Sequence, residues 1–348
     1  MVSSFRLLRL FSLHKCQPTT GLALYSRGMS SIPCVPLSNG HSLPLFGLGT
    51  WTATNANELR IALQNALDSG YRLIDTAAIY KNECVLQEYF KTGKLKREEV
   101  FITTKLPFYA MEPLDAEASI RKQLDDLRVD YVDLYLVHCP AAMKPSGELK
   151  LAPGSLIHQN ELEHIDTWRV LEKLHKEGKL KAIGLSNFNA NQIEDLYEKA
   201  EVECHIYWPQ LQLQRLCSKL GMTLTAYAPI GSPGRKTFRP DENWPEGNPM
   251  QEPFVLQLAD KYAKTPAQIL LRHLIQRQIS VIPKSTNTKR IIENVSIFDF
   301  KLSEEEQKKL LDVKERVRLF EFRFCAGNRH FPFEDVDLNV SSPVEESI

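Results

Sequence analysis

The chain predicts an α/β fold, a single-domain (β/α)8 TIM barrel, from three observations. Eight short apolar runs alternate with helix-like segments, glycines stand where those helices must stop, and titratable residues recur at the C-terminal ends of the runs. The runs are Leu45–Leu48, Leu73–Thr76, Val100–Thr103, Val132–Val137, Ala182–Leu185, Glu201–Cys204, Leu224–Ala228 and Ser280–Ile282.

Between the first two runs, Leu59, Ala62, Leu63, Ala66 and Leu67 form one apolar helical stripe, and Gly70 follows where a left-handed stop is needed. A similar unit runs from Ile165 to Gly178. A helix between successive apolar strands implies parallel strands joined by right-handed crossovers. Two stretches resist the alternation, Ala141–Asn160 and the Gly- and Pro-rich Gly231–Pro253, and long irregular connections in a barrel belong to its binding face. After Asp312, the segment Arg318–Cys325 is too aromatic for a solvated linker and reads as a strand or helix on the barrel wall. The barrel is therefore expected over residues 32–335, with 336–348 a flexible tail.

Composition narrows the function. With 43 basic and 43 acidic residues, nothing resembles a nucleic-acid footprint, and no apolar stretch reaches the length of a membrane span. The seven cysteines are scattered without metal-ligand spacing, so free thiols in a reducing compartment and no metal are expected. Residues 1–31 differ from the rest: no Asp or Glu occurs before Glu58, and Ser3–Phe11 is basic, serine-containing and apolar. This reads as a mitochondrial presequence or as a disordered extension with Met29 as a second start, making the cytosol the expected location and the mitochondrial matrix the alternative.

Asp75, Lys105 and His138 each follow an apolar run, where side chains point into the mouth of a parallel barrel. Singly, each has an ordinary explanation: a helix cap, a solvated lysine, a structural histidine. Around them, Gly70–Glu83, with Asp75 and Tyr80, resembles the first signature of the aldo-keto reductase family. Lys181–Phe188 resembles the second, and Ile282–Ser285 followed by Arg290, Glu293 and Asn294 resembles the third.

The resemblance implies NADPH-dependent reduction of aldehydes and ketones to alcohols by a usually monomeric enzyme. It implies a catalytic tetrad of Asp75, Tyr80, Lys105 and His138. Carbonyl reduction builds negative charge on oxygen, so a proton donor must sit beside that oxygen. Tyr80 would be the donor, its pKa lowered by the ammonium of Lys105; Asp75 would keep Lys105 charged; a neutral His138 would orient the substrate oxygen. Cofactor contacts carry over to Thr50, Trp51, Ser186, Asn187, Tyr227, Ala228, Pro229, Ser232, Glu293 and Asn294, with Lys284, Ser285 and Arg290 gripping the adenosine 2′-phosphate. Substrate contacts carry over to Trp51, Ile79, Phe108 and Cys139, with Phe238 and the tail around Phe324 and Cys325 closing the pocket. The family has no Gly-x-Gly-x-x-Gly turn and neither has this chain, which disfavours a Rossmann domain.

Two segments depart from the family pattern. The helix after Glu83 is shorter by about one turn of 3.6 residues, and Lys199–His205 runs directly from the fifth helix into the sixth strand, leaving Glu201 where the family places a nicotinamide-binding glutamine. These departures define the alternative: a catalytically weak, NADPH-binding regulatory barrel.

Overall fold

Among the residues described, eight parallel strands form one sheet: β1 (Leu48–Gly49), β2 (Leu73–Asp75), β3 (Phe101–Leu106), β4 (Val132–Val137), β5 (Leu180–Ser186), β6 (Cys204–Tyr207), β7 (Leu224–Ala226) and β8 (Ile279–Val281). Each strand pairs with its neighbours in sequence, and the bridge between Phe46 and Val281 closes the sheet into a barrel. The closure is hydrogen-bonded on both sides, Gly47 N–H to Val281 O at 2.9 Å and Val281 N–H to Leu45 O at 2.9 Å. The computed structural model describes residues 32–37, 39–145, 156–201, 204–207, 211–238, 244–312, 318–334 and 336. The expected presequence and almost all of the expected tail lie outside them.

The helices form for local reasons. In α1 (Ala56–Asp68), Asn55 caps the N-terminus by accepting from the backbone N–H groups of Asn57 and Glu58, the five predicted apolar residues are the buried ones, and Gly70 turns the chain at φ +91°. After β2 comes α2 (Cys84–Phe90), only seven residues long, which still buries Val85, Leu86 and Tyr89. The ring continues with α3 (Pro113–Leu127), α4 (His164–Lys176), α5 (Ala190–Lys199) and α6 (Leu211–Lys219). It closes with α7 (Pro266–Gln276) and α8 (Thr288–Val295), with further helices at Pro253–Tyr262 and Glu304–Leu311. A hairpin of Cys34–Pro36 and Ser42–Pro44 packs at the N-terminal ends of the strands, where Ser280 donates to Pro44 O and Asn39 to Lys181 O.

Strand β4 has its predicted bounds; β3 runs three residues further, to Leu106, because its pairing with β4 continues through Leu106 and Val137. The sixth strand lies at Cys204–Tyr207 and not at Glu201–Cys204. Glu201, the second residue after α5, lies at the N-terminal end of the barrel. Glu201 is fixed there by Lys176 at 2.9 Å and Arg169 at 3.0 Å, while its N–H donates to Glu172 at 2.6 Å. As a result β6 pairs only with Ile183–Ser186 of β5, and with β7 at the single register Ile206–Leu224. The aromatic tail is neither strand nor regular helix: it forms a short 3-10 turn at Arg323–Cys325, and the ring of Phe322 before it packs on those of Phe324 and Phe333.

Closure leaves no room at Gly47, where an added Cβ would lie 2.7 Å from the carbonyl oxygen of Leu73. Gly47→Ala is expected to cost about 1–3 kcal/mol of unfolding free energy in urea denaturation. Gly234→Ala, in open space with no strained backbone, is expected to leave stability unchanged.

Candidate active site

The C-terminal ends of β2, β3 and β4 bring the predicted tetrad together. Asp75, the last residue of β2, is buried and accepts from Lys105 Nζ at 2.6 Å. Lys105, on β3 and fully buried, also donates to Thr76 O at 2.8 Å and lies 3.5 Å from the hydroxyl of Tyr80. Tyr80 ends a 3-10 turn, Ala78–Tyr80, that Lys81 terminates in the left-handed region at φ 55°. The ring of His138, one residue beyond β4, meets that of Tyr80 edge-on at 5.8 Å.

The turn carrying Tyr80 is braced from below. Asn82 donates to Thr50 O at 2.9 Å and accepts from Thr76 Oγ1, while Thr50 donates through N–H and hydroxyl to Asp75 O. Thr50 is thus a buried brace of the site and does not line the cleft.

Burial sets the titration of the site. It pushes the Tyr80 phenol well above its ordinary value, with Asp75, Tyr227 and Glu83 adding to the rise. This corrects the expectation that Lys105 would lower it: the ammonium at 3.5 Å is already paired with Asp75, and desolvation of the phenolate outweighs it. Burial also lowers Lys105, opposed by Asp75 and Glu83, and lowers His138 well below the usual imidazole range, aided by Lys105. His138 is therefore neutral, as the sequence suggested, and its buried Nδ1 has no hydrogen-bond partner among the described residues.

A cleft of about 660 Å³ runs from the tetrad to the loop after β8. Its walls include Trp51, Ile79, Ser186, Asn187, Tyr227, Ala228, Pro229, Ser232, Lys284, Ser285 and Arg290, all singled out from the sequence. Asn187 lies at φ 64° and joins three elements, donating to His138 O at 2.8 Å and Ser186 Oγ at 3.0 Å and accepting from Tyr227 at 3.1 Å. At the far end Lys284 and Arg290 are exposed and form no ion pair among the described residues, and Asn287 caps α8 by accepting from Arg290 N–H. The cleft thus suits an extended ligand with an anionic end.

Other predicted residues stand back. Glu293 pairs with Lys289 on α8, and Asn294 is buried on the same helix. Phe108, Cys139 and Cys325 are buried and do not line the cleft, Phe108 packing on Phe324 of the tail at 5.2 Å. The side chain of Phe238 lies outside the described residues. Glu201, at the opposite end of the barrel, cannot take the place of a glutamine beside a nicotinamide. Sequence reasoning missed Phe320, whose ring touches those of Trp51, Tyr227 and Trp244. It also missed Arg235, a buried cation on the cleft wall that donates to the carbonyls of Gly231, Ser232, Pro245 and Gly247. The aromatic run in the tail was the only signal for Phe320, and nothing local marked Arg235.

Residues 45–315 match the Aldo/keto reductase family. Aldo-keto reductase family 1 member A1 of Gallus gallus is 39% identical over 323 residues, covering 86% of this chain and 97% of its own. The Bos taurus protein of that name is 42% identical over 325 residues, 87% of this chain and 98% of its own. Among solved structures, the aldose reductase from Schistosoma japonicum superposes with a TM-score of 0.78 at 36% identity, covering 88% of this chain and 99% of that one. A Bombyx mori aldo-keto reductase in complex with NADP gives 0.77 at 32% identity, covering 88% and 100%.

The buried pair has a measurable signature. Lys105→Met strands Asp75 in the barrel without its cation and is expected to lower unfolding free energy by about 3–5 kcal/mol. Lys105→Met with Asp75→Leu removes both charges and is expected to lose less; equal losses in urea denaturation would contradict the pairing.

Proposed function

The chain belongs to the aldo-keto reductase family, and on that premise we propose that it reduces aldehydes and ketones to alcohols with NADPH, Tyr80 protonating the substrate oxygen. The observation that carries this reading is the Asp75–Lys105–Tyr80–His138 cluster at one end of a cleft whose other end holds two exposed cations, Lys284 and Arg290, that form no ion pair among the described residues. The residues present fit a dinucleotide: Tyr227 offers a ring face, Ser186 and Asn187 offer amide and hydroxyl groups beside it, and Lys284, Ser285 and Arg290 suit a 2′-phosphate. When bound, NADPH supplies the hydride that reduces the carbonyl carbon.

His138, neutral and on the cleft wall, orients the carbonyl oxygen toward Tyr80 by donating a ring N–H. Tyr80 stays a phenol at neutral pH because burial raises its pKa. It gives up its proton only as an alkoxide, more basic than a phenolate, forms beside it. The phenolate left behind lies against the ammonium of Lys105, which Asp75 keeps charged, and regains its proton from solvent. The acid form is lost as pH rises, so activity falls on the alkaline side.

Trp51 and Ile79, with Phe320 and Phe322 across the opening, favour apolar or aromatic carbonyl compounds. The enzyme would act as a monomer in the cytosol, with residues 1–31 the route to the mitochondrial matrix in the alternative. The regulatory alternative draws only on the two shortened segments, and the intact cluster argues for the enzyme.

Tyr80→Phe is expected to cut carbonyl-dependent oxidation of NADPH by about 100-fold to 10,000-fold while leaving NADPH binding, read by fluorescence, unchanged. Arg290→Ala should weaken NADPH by roughly tenfold or more and leave NADH almost unaffected. Equal losses for both nucleotides would remove the 2′-phosphate assignment.

A further inference from the structure

Behind the tetrad lies a second buried carboxylate that the proposed mechanism does not use. Glu83 immediately precedes α2 and is 7% exposed. It accepts from Thr104 Oγ1 at 2.5 Å and from Gln123 Nε2 at 3.2 and 3.3 Å. Gln123, on α3, also donates to Thr104 Oγ1 at 3.0 Å and to the backbone oxygen of Lys105 at 3.4 Å, and its own oxygen accepts from Tyr135 of β4.

Two features set this carboxylate apart. Its hydrogen-bond partners are all donors, which is the arrangement a carboxylate needs and a carboxylic acid does not. They are also all neutral, and no ion pair of Glu83 occurs among the described residues. Thr104 and Lys105 are adjacent on β3, so their side chains point to opposite faces. Glu83 thus sits on the outer face of the strand whose inner face carries the active-site lysine.

We propose that Glu83 is a positioning residue for this reaction, a second carboxylate that from behind β3 helps Asp75 hold Lys105 as an ammonium and Tyr80 as a phenol. The proposal rests on the reductase reading above. Lys105 is faced by Asp75 and Thr76 O from β2, by Tyr80 from the 3-10 turn, by His138 after β4 and, through β3, by Glu83. Glu83 in turn is faced by Thr104 and Lys105 from β3, Gln123, Lys122 and Asp126 from α3, Tyr135 from β4 and Tyr109. Removing its charge makes the ammonium harder to keep and the phenolate easier to form. Both changes move the alkaline limb of activity in the same direction, to lower pH, and the limb belongs to the Tyr80–Lys105 pair jointly.

The test is the pH profile of kcat/KM for the full chain with NADPH and an aromatic aldehyde. Glu83→Gln is expected to shift the alkaline limb down by about one pH unit with little change on the neutral plateau. The paired variant Glu83→Gln/Gln123→Glu, which returns one carboxylate to the same network, should bring the limb back toward its original position. A limb that stays put in Glu83→Gln overturns the proposal. So does a paired variant that stays shifted, and this variant decides the matter if Glu83→Gln alone fails to fold. If Tyr80→Phe retains activity, the reductase assignment of Tyr80 fails instead, which separates the two outcomes.

Discussion

The ion pair between Lys105 and Asp75 is the constraint on which the rest of the site depends. A lysine with no exposed surface inside a barrel keeps its charge only if a carboxylate is held against it, and here the contact is 2.6 Å. Register makes this possible: Asp75 lies opposite Thr103 on β3, which carries Lys105 two residues further toward the mouth. Lys105 then fixes the turn after β2 by donating to Thr76 O, and that turn delivers Tyr80. Barrel closure, strand register and catalytic geometry are therefore one problem with one solution.

Burial then divides the labour among groups of different chemistry. The same desolvation that lowers Lys105 and His138 raises Tyr80, leaving a neutral imidazole and an intact phenol around a paired ammonium. The anionic-ligand end of the cleft follows the opposite rule, since Lys284 and Arg290 remain exposed and unpaired among the described residues.

Much of this was legible in the sequence. The strand-end positions of Asp75, Lys105 and His138 follow from the period of apolar runs, and the α1 stripe and its Gly70 stop follow from helix geometry. What escaped was set by contacts between distant segments. The sixth strand moved to Cys204–Tyr207 because Glu201 is held under the barrel by Lys176 and Arg169 of α4, partners that no local pattern announces. Phe320 and Arg235 sit in irregular segments whose paths depend on what they pack against. The sign of the Tyr80 shift was misjudged because a neighbouring cation is visible in sequence and the depth of burial is not. The short α2 begins after Glu83, so the missing turn leaves both Tyr80 and Glu83 in place.

Tyr80 is kept as a phenol by its surroundings, and a direct titration measures this. The phenolate absorbance of the wild type can be followed with rising pH and that of Tyr80→Phe subtracted, leaving the ionisation of Tyr80 alone. This component is expected to appear only well above the ordinary phenol value of about 10. A component that ionises below that value would show that the Lys105 charge, and not burial, sets the protonation of Tyr80.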